Sequence, residues 1–289
     1  EQHEPQHEPL RLLAGVGGFS PLAISLAGFT VALLGYFASR SIPAAPAPAP
    51  QLRIGLNPFA ETWRNLAMAR RERSVFVAIL AISWFWLYGA LFLAQFPAYA
   101  RDVLGGDERT VTLLLATFTL GIGAGSLLCE RLSARRLEPG LVPLGAIGLS
   151  IFGIDLAFAS PEAPLATLQP LAVLLDDMAV WRVLFDLLML GMFGGFFTVP
   201  LYALLQLRSD PTQRARIIAA NNIVNAAFMV AGALLAAALL DGGLPIPALF
   251  AVAASVNALA AFLVFRADKE YLVRFLPWLR GERGRGRLK

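Results

Sequence analysis

One cysteine and two histidines in a chain of 289 residues leave little room for thiolate or imidazole chemistry. Cys129 alone excludes an internal disulfide framework and any site built from several thiolates. His3 and His7 are the only histidines, and both stand in a polar terminus rich in Gln, Glu and Pro. The string His3-Glu4-Pro5-Gln6-His7 fits the H-E-x-x-H pattern of zinc peptidases, but that chemistry needs a regular helix and a third ligand. Pro5 interrupts the string, so the expectation is no metal, no cofactor and no catalytic residue. Charge is scarce as well. Only 15% of residues are Asp, Glu, Lys or Arg, against roughly 25% in soluble domains. Residues 1–10 are acidic and polar, unlike the basic and apolar opening of a secretory leader.

What fills the chain instead is apolar residue, 57% of the total. It falls into runs over residues 12–37, 75–99, 111–129, 140–160, 183–205, 217–240 and 244–265. Each run is near the ~20 residues that carry a helix across a hydrocarbon core. In lipid a helix satisfies its own backbone polar groups, so the fold expected is an all-α polytopic membrane protein of about seven transmembrane helices. The hydrophilic segments between the runs alternate in charge. Arg40, Arg53, Arg64, Arg70, Arg71 and Arg73 follow the first run; Arg131, Arg135 and Arg136 form the next cluster. Arg208, Arg214 and Arg216 come third, and the tail from Arg266 to Lys289 fourth. The intervening loops hold Asp102, Asp107, Glu108, Glu162, Asp176, Asp177 and Asp241. The positive-inside rule then places the C-terminus and the loop over 39–74 in the cytoplasm and the N-terminus outside. The net charge of +4 belongs to these membrane edges and their anionic lipid, not to nucleic acid.

The expected organisation is a polar N-terminus (1–11), a single span (12–38), a linker (39–74), a six-helix unit (75–265) and a basic tail (266–289). In the linker, Pro and Ala alternate over 42–50, an extended pattern. Asn57-Pro58 then opens an amphipathic helix running to Arg73, with Trp63, Leu66 and Ala67 placed to lie on lipid. Gly121 and Gly125 have the GxxxG spacing that lets helices approach closely, a better account of Gly121-Ile122-Gly123-Ala124-Gly125 than a nucleotide loop, since no strand precedes it.

Polar residues inside spans are costly and mark functional positions. Asp155 lies deep in the run over 140–160, on the helical side that Gly145 and Gly148 share. Asp186 follows Arg182 by four residues, the spacing of an interfacial ion pair, and is expected at a different depth from Asp155. Asn221, Asn222 and Asn225 occupy about one-third of a helix circumference, suited either to interhelical hydrogen bonds or to a polar headgroup. Trp84, Tyr88 and Gln95 recur at helical spacing, suited either to core packing or to the path of an amphiphile. Together, Trp84, Tyr88, Gln95, Asp155, Asn221, Asn222 and Asn225 are the substrate-pathway candidates.

The stretch Gly125-Ser126-Leu127-Leu128-Cys129-Glu130-Arg131-Leu132-Ser133-Ala134-Arg135-Arg136 ends a span with one acid among three bases. It resembles the gating-loop motif of the major facilitator superfamily, with Glu130 about one position from the usual acid and the usual turn glycine absent. Glu130, Arg131, Arg135 and Arg136 are therefore candidates for a cytoplasmic gate. The strings ISWFWLYGALFLAQFPAYARDVLGGDE, GSLLCERLSARRLEPGLVPLGAIGLSIFGIDLAFA and RARIIAANNIVNAAFMV resemble the bacterial lysophospholipid transporters of that superfamily, over most of 39–265. The resemblance implies helices six to twelve of a twelve-helix fold, with helices one to five on a preceding part of the protein. It implies inward movement of lysophospholipid, mainly lysophosphatidylethanolamine, across the bacterial cytoplasmic membrane for reacylation. Residues 271–279 resemble the junction to an acyltransferase domain. That enzyme needs a His-x4-Asp pair, which this chain lacks, so the chain itself is expected to be a transporter. Its expected partners are substrate lipid, membrane lipid, the N-terminal helices and an acyltransferase, fused or separate. Composition equally fits a permease for another amphiphile or drug; a second, lesser class is a membrane platform that holds an acyltransferase without transporting.

Overall fold

A computed structural model describes residues 21–43, 57–133, 136–161 and 168–280. Residues 12–20 of the first apolar run, the Pro/Ala stretch from residue 44, Arg135, His3 and His7 lie outside the described residues. The chain divides into two units, residues 1–52 and 53–289. In the first, the described part of the first run is α1, Pro21–Arg40, whose 20 residues end on a guanidinium 6.0 Å from the Tyr36 ring.

The regular elements of the second unit are helices throughout its described length. It comprises α2 (Pro58–Ala69), α3 (Arg73–Ala98, continued by a π-helical turn Tyr99–Val103), α4 (Glu108–Leu132), α5 (Leu141–Ala159) and the single turn α6 (Leu171–Leu174). Then come α7 (Met178–Arg208), α8 (Arg214–Asp241), α9 (Ile246–Ala267) and α10 (Glu270–Leu279). Among the described residues, six helices, α3, α4, α5, α7, α8 and α9, are long and apolar enough to cross a membrane. They correspond to the last six apolar runs. Hydropathy fixes these helices, and local chemistry fixes their ends. Asp107 caps α4 by accepting from the backbone N–H of Arg109 and Thr110, both at 3.1 Å; Asp177 caps α7 through Ala179 at 2.8 Å. The α8–α9 hairpin turns at Gly243, whose φ of 89° suits a residue without a Cβ. At 31 residues, α7 is about 46 Å long, well beyond the ~30 Å hydrocarbon core.

Helix α7 is the hub, packed against α4, α5 and α3, while α3 also holds α8 and α5 holds α9. The α4–α7 contact is backbone on backbone. A Cβ on Gly121 would strike the Leu188 carbonyl, and one on Gly125 the carbonyl of Met192. From the other side, a Cβ on Gly195 would come within 2.7 Å of the Ser126 nitrogen. The GxxxG of α4 thus meets a second small-residue stripe, Gly191 and Gly195, on α7. On the same hub, Gly145 of α5 lies against the backbone of Phe197 and Gly148 against the ring of Phe193. Aromatic stacking fills the space around α3, with Phe92 lying 4.4 Å from Phe250 at an 8° interplanar angle.

The glycines of α4 therefore differ sharply in tolerance. Gly125→Ala should destabilise the protein by about 1–3 kcal/mol through overpacking. Gly123→Ala, whose Cβ would meet nothing within 4 Å, should be neutral or slightly stabilising; thermal unfolding of both variants in detergent checks the contrast.

Candidate functional site

Three groups of polar side chains stand within the six-helix unit. The first surrounds α3. Trp84 donates its indole N–H to Asn257 Oδ1 at 2.8 Å. The Asn257 amide in turn donates to Ser150 Oγ at 2.9 Å and to the Ala146 carbonyl at 3.1 Å. Ser83 donates to Asn225 Oδ1 at 2.7 Å, and the buried Tyr88 hydroxyl donates to the Leu149 carbonyl at 2.9 Å. Trp84 and Tyr88 are thus engaged with α9 and α5, and Asn225 with α3. Gln95 borders a cavity of 330 Å³ between α3 and α8, beside Met229 and Asp241. On α8, Asn221 is buried and donates to Asn222 Oδ1 at 3.3 Å, while its own amide oxygen has no hydrogen-bond partner. Asn222 is exposed. Ser83 and Asn257 went unmarked in the sequence, although an amide twelve residues into α9 carries the same signal as the asparagines of α8.

The second group lies near the arginine-poor end. Arg182 grips Asp155 with two nitrogens, Nη2 on Oδ1 and Nε on Oδ2, the latter at 3.2 Å. Asp186 is fully buried, and neither carboxylate oxygen has a hydrogen-bond partner. Its charged neighbours are Asp155 and Arg182, and nearby Tyr99 shares a 2.8 Å hydrogen bond with Ser160. Two expectations are corrected here. Arg182 takes Asp155 across the helix interface rather than Asp186 one turn along α7. The two acids are also not at separate depths. Antiparallel α5 and α7 overlap because α7 starts well before the level at which α5 ends, so the last turns of one lie beside the first turns of the other.

The third group is at the arginine-rich end. Glu130, Arg131 and Arg136 are exposed around the end of α4; Arg135 lies outside the described residues. Ion pairs there join other elements. Arg208 of α7 meets Glu270 of α10 at 2.8 Å, and Arg274 meets the same carboxylate at 2.9 Å. Arg216 at the start of α8 holds Glu61 of α2 at 2.7 Å and Asn65 at 3.0 Å. That docking sets the amphipathic helix against α8 by its polar edge, with Trp63 exposed. Burial pushes the Glu270 carboxyl up, but Arg208 and Arg274 outweigh it and hold it below its ordinary value. At the α7–α8 turn, hydrogen bonds from Thr212 hold the Asp210 carboxyl low as well. The i, i+4 spacing of Glu270 and Arg274 was readable; their partner Arg208, sixty-two positions from Glu270, was not. Among the described residues no three His, Cys, Asp or Glu side chains gather in a metal-binding group.

The family model described as Major Facilitator Superfamily matches residues 92–284 of the chain. No curated protein matches, and neither does any solved structure.

Two measurements probe these groups. Asn257→Leu strands the indole N–H of half-buried Trp84 and should cost about 1–3 kcal/mol, read as a lowered unfolding temperature in detergent. For Glu270, a depressed folded value means stability that is present above the unfolded value of about 4.3 and lost as pH falls through the folded one. The stability difference between wild type and Glu270→Gln should therefore hold steady from neutral pH down to about 4.3 and shrink below it.

Proposed function

The chain belongs to the major facilitator superfamily, and for this membrane transporter we propose a lysophospholipid cargo, with lysophosphatidylethanolamine the expected species. The cargo moves inward across the bacterial cytoplasmic membrane for reacylation, and the arginine-rich end is the cytoplasmic one. The six spans act as one half of an alternating-access pair around a midplane cavity, the other half being supplied by the helices that precede α1. Glu130, Arg131, Arg135 and Arg136 guard the cytoplasmic mouth.

The observation that carries this reading is the exposed amide face of α8. The spans α8 and α4 have only 17% and 22% of their apolar windows buried, against 39–61% for the other four. Both therefore present a free face within the six-helix unit. On α8 that face bears Asn222, and an amide inside a span turns to protein or to a wet cavity rather than to lipid. Asn221, with its unpartnered oxygen, stands beside it. Exposed Ile218 and Ile223 flank the amides, and further along α8 the exposed large side chains are aliphatic alone, Val230, Leu234 and Leu235. Amides in the first turns and branched aliphatics beyond them suit a molecule with a polar headgroup and one acyl chain. Gln95 and the cavity beside it extend the polar character along α3, while Trp84, Tyr88, Asn225 and the Asp155–Arg182 pair hold the helices that frame the path.

Uptake of labelled lysophosphatidylethanolamine into spheroplasts that lack their own transporter tests the proposal. Cells carrying the protein together with its preceding helices should accumulate label. Asn222→Leu should reduce uptake about 10-fold to 100-fold, the worth of one hydrogen bond to a charged group, without loss of folded protein. Uptake no faster than in control cells sinks the lysophospholipid assignment and leaves the family membership standing.

A further inference from the structure

A large apolar recess of the second unit runs along α5 and α9, apart from the amide face of α8. It is a groove of 690 Å³ lined by residues such as Ile147, Ile151, Ala258 and Phe262, and roofed at the arginine-rich end by Leu272 and Val273 of α10. Its volume falls within the ~300–1,000 Å³ usual for ligand sites. The groove is rigidly built. Its floor includes Ala146 and Ser150, the two residues that the Asn257 amide ties to α9. Its roof is anchored by buried Tyr271, by the Arg208–Glu270–Arg274 ion pairs and by the Trp278 indole, which donates to the Leu132 carbonyl at 3.4 Å.

Arg266 and Lys269 stand at the mouth, and they also line an adjoining polar pocket of 420 Å³. Neither cation has an ion-pair partner among the described residues. Glu270, next in the chain, is already held by Arg208 and Arg274. The polar pocket further includes Arg73 and Arg208, so its four bases exceed its acids, Glu72, Asp268 and Glu270. One apolar trough thus runs into one basic pocket, with two unpaired cations at the junction.

We propose that this composite recess binds a diacyl anionic phospholipid of the surrounding membrane, its acyl chain in the α5–α9 groove and its phosphate against Arg266 and Lys269. The pattern of charge supports this occupant over a zwitterionic lipid, because the four bases of the pocket outnumber its three acids and the two cations shared with the apolar groove, Arg266 and Lys269, form no ion pair among the described residues. Basic pockets between membrane helices at this end attract anionic headgroups, and the apolar groove adds the burial that a free phosphate cannot supply. The site is separate from the amide face of α8, so the lipid is a resident ligand of the fold rather than its cargo.

Native mass spectrometry of the purified full chain in detergent, titrated with phosphatidylglycerol, phosphatidylethanolamine or phosphatidylcholine, tests the proposal without reference to transport. Phosphatidylglycerol should be retained preferentially and should raise the unfolding temperature. The double variant Arg266→Gln/Lys269→Gln should weaken its binding roughly tenfold or more, and Arg101→Gln at the opposite end should not. Ala258→Trp, which fills the groove from an exposed position, should also displace the lipid, and glycerol phosphate should fail to compete. Equal or tighter binding of either zwitterionic lipid overturns the proposal. So does an equal effect of Arg101→Gln, or competition by glycerol phosphate with no effect of Ala258→Trp, which would mark a headgroup-only anion site.

Discussion

Everything in the six-helix unit depends on how closely α7 and α4 approach. With Gly121 and Gly125 on one helix and Gly191 and Gly195 on the other, main chain meets main chain with no side chain between. In lipid there is no hydrophobic force between helices, so packing of this kind is a principal source of association. The contact also sets the register of α7, and α7 sets the rest. Its phenylalanines reach the glycines of α5, its first turns carry Arg182 to Asp155, and its last residue, Arg208, meets Glu270 of α10. A shift of α7 along its axis would therefore disturb both ends of the unit together.

Hydroxyls such as those of Ser126 and Thr198 bond back to a carbonyl of their own helix, but the polar side chains around α3 follow a second rule, that each finds its partner on another helix. Ser83 with Asn225, Trp84 with Asn257, and Tyr88 with the Leu149 carbonyl obey it. Asp186 and the amide oxygen of Asn221 do not, and Asn222 remains exposed. Buried polar atoms without partners are rare enough to require a reason. For the asparagines the reason offered is cargo. Asp186 sits instead behind a satisfied ion pair, where a second carboxylate and one guanidinium are its charged company.

The helices were legible because hydropathy and loop charge are local signals. Each of the last six apolar runs became a span with ends displaced by a few residues, since capping by Asp107 or Asp177 decides where a helix begins. The glycine stripe of α4 was legible for the same reason, its spacing being visible within five residues. The polar groups were harder. Trp84 and Tyr88 stand out in the sequence by their helical spacing, but which neighbour they address depends on helix crossings that no single segment records. Asn257 and Ser83 escaped notice because one amide or hydroxyl in an apolar run is an ordinary sight until its partner is known. Asp155 and Asp186 were separated by counting along their own helices, whereas the unequal lengths of α5 and α7 bring them together.

The docking of α2 has a mechanical meaning. Arg216 sits in the first turn of α8 and holds Glu61 and Asn65, so α2 is fastened to the very helix whose free face bears the exposed asparagine. A rotation of α8 about its axis would swing α2 with it, like a lever on a shaft. The segment joining α2 to α3 is only a few residues long, so that swing is opposed at once by the start of α3. The connector thus acts as a torsional stop, one that resists twisting of α8 alone and favours movement of the helices as a block.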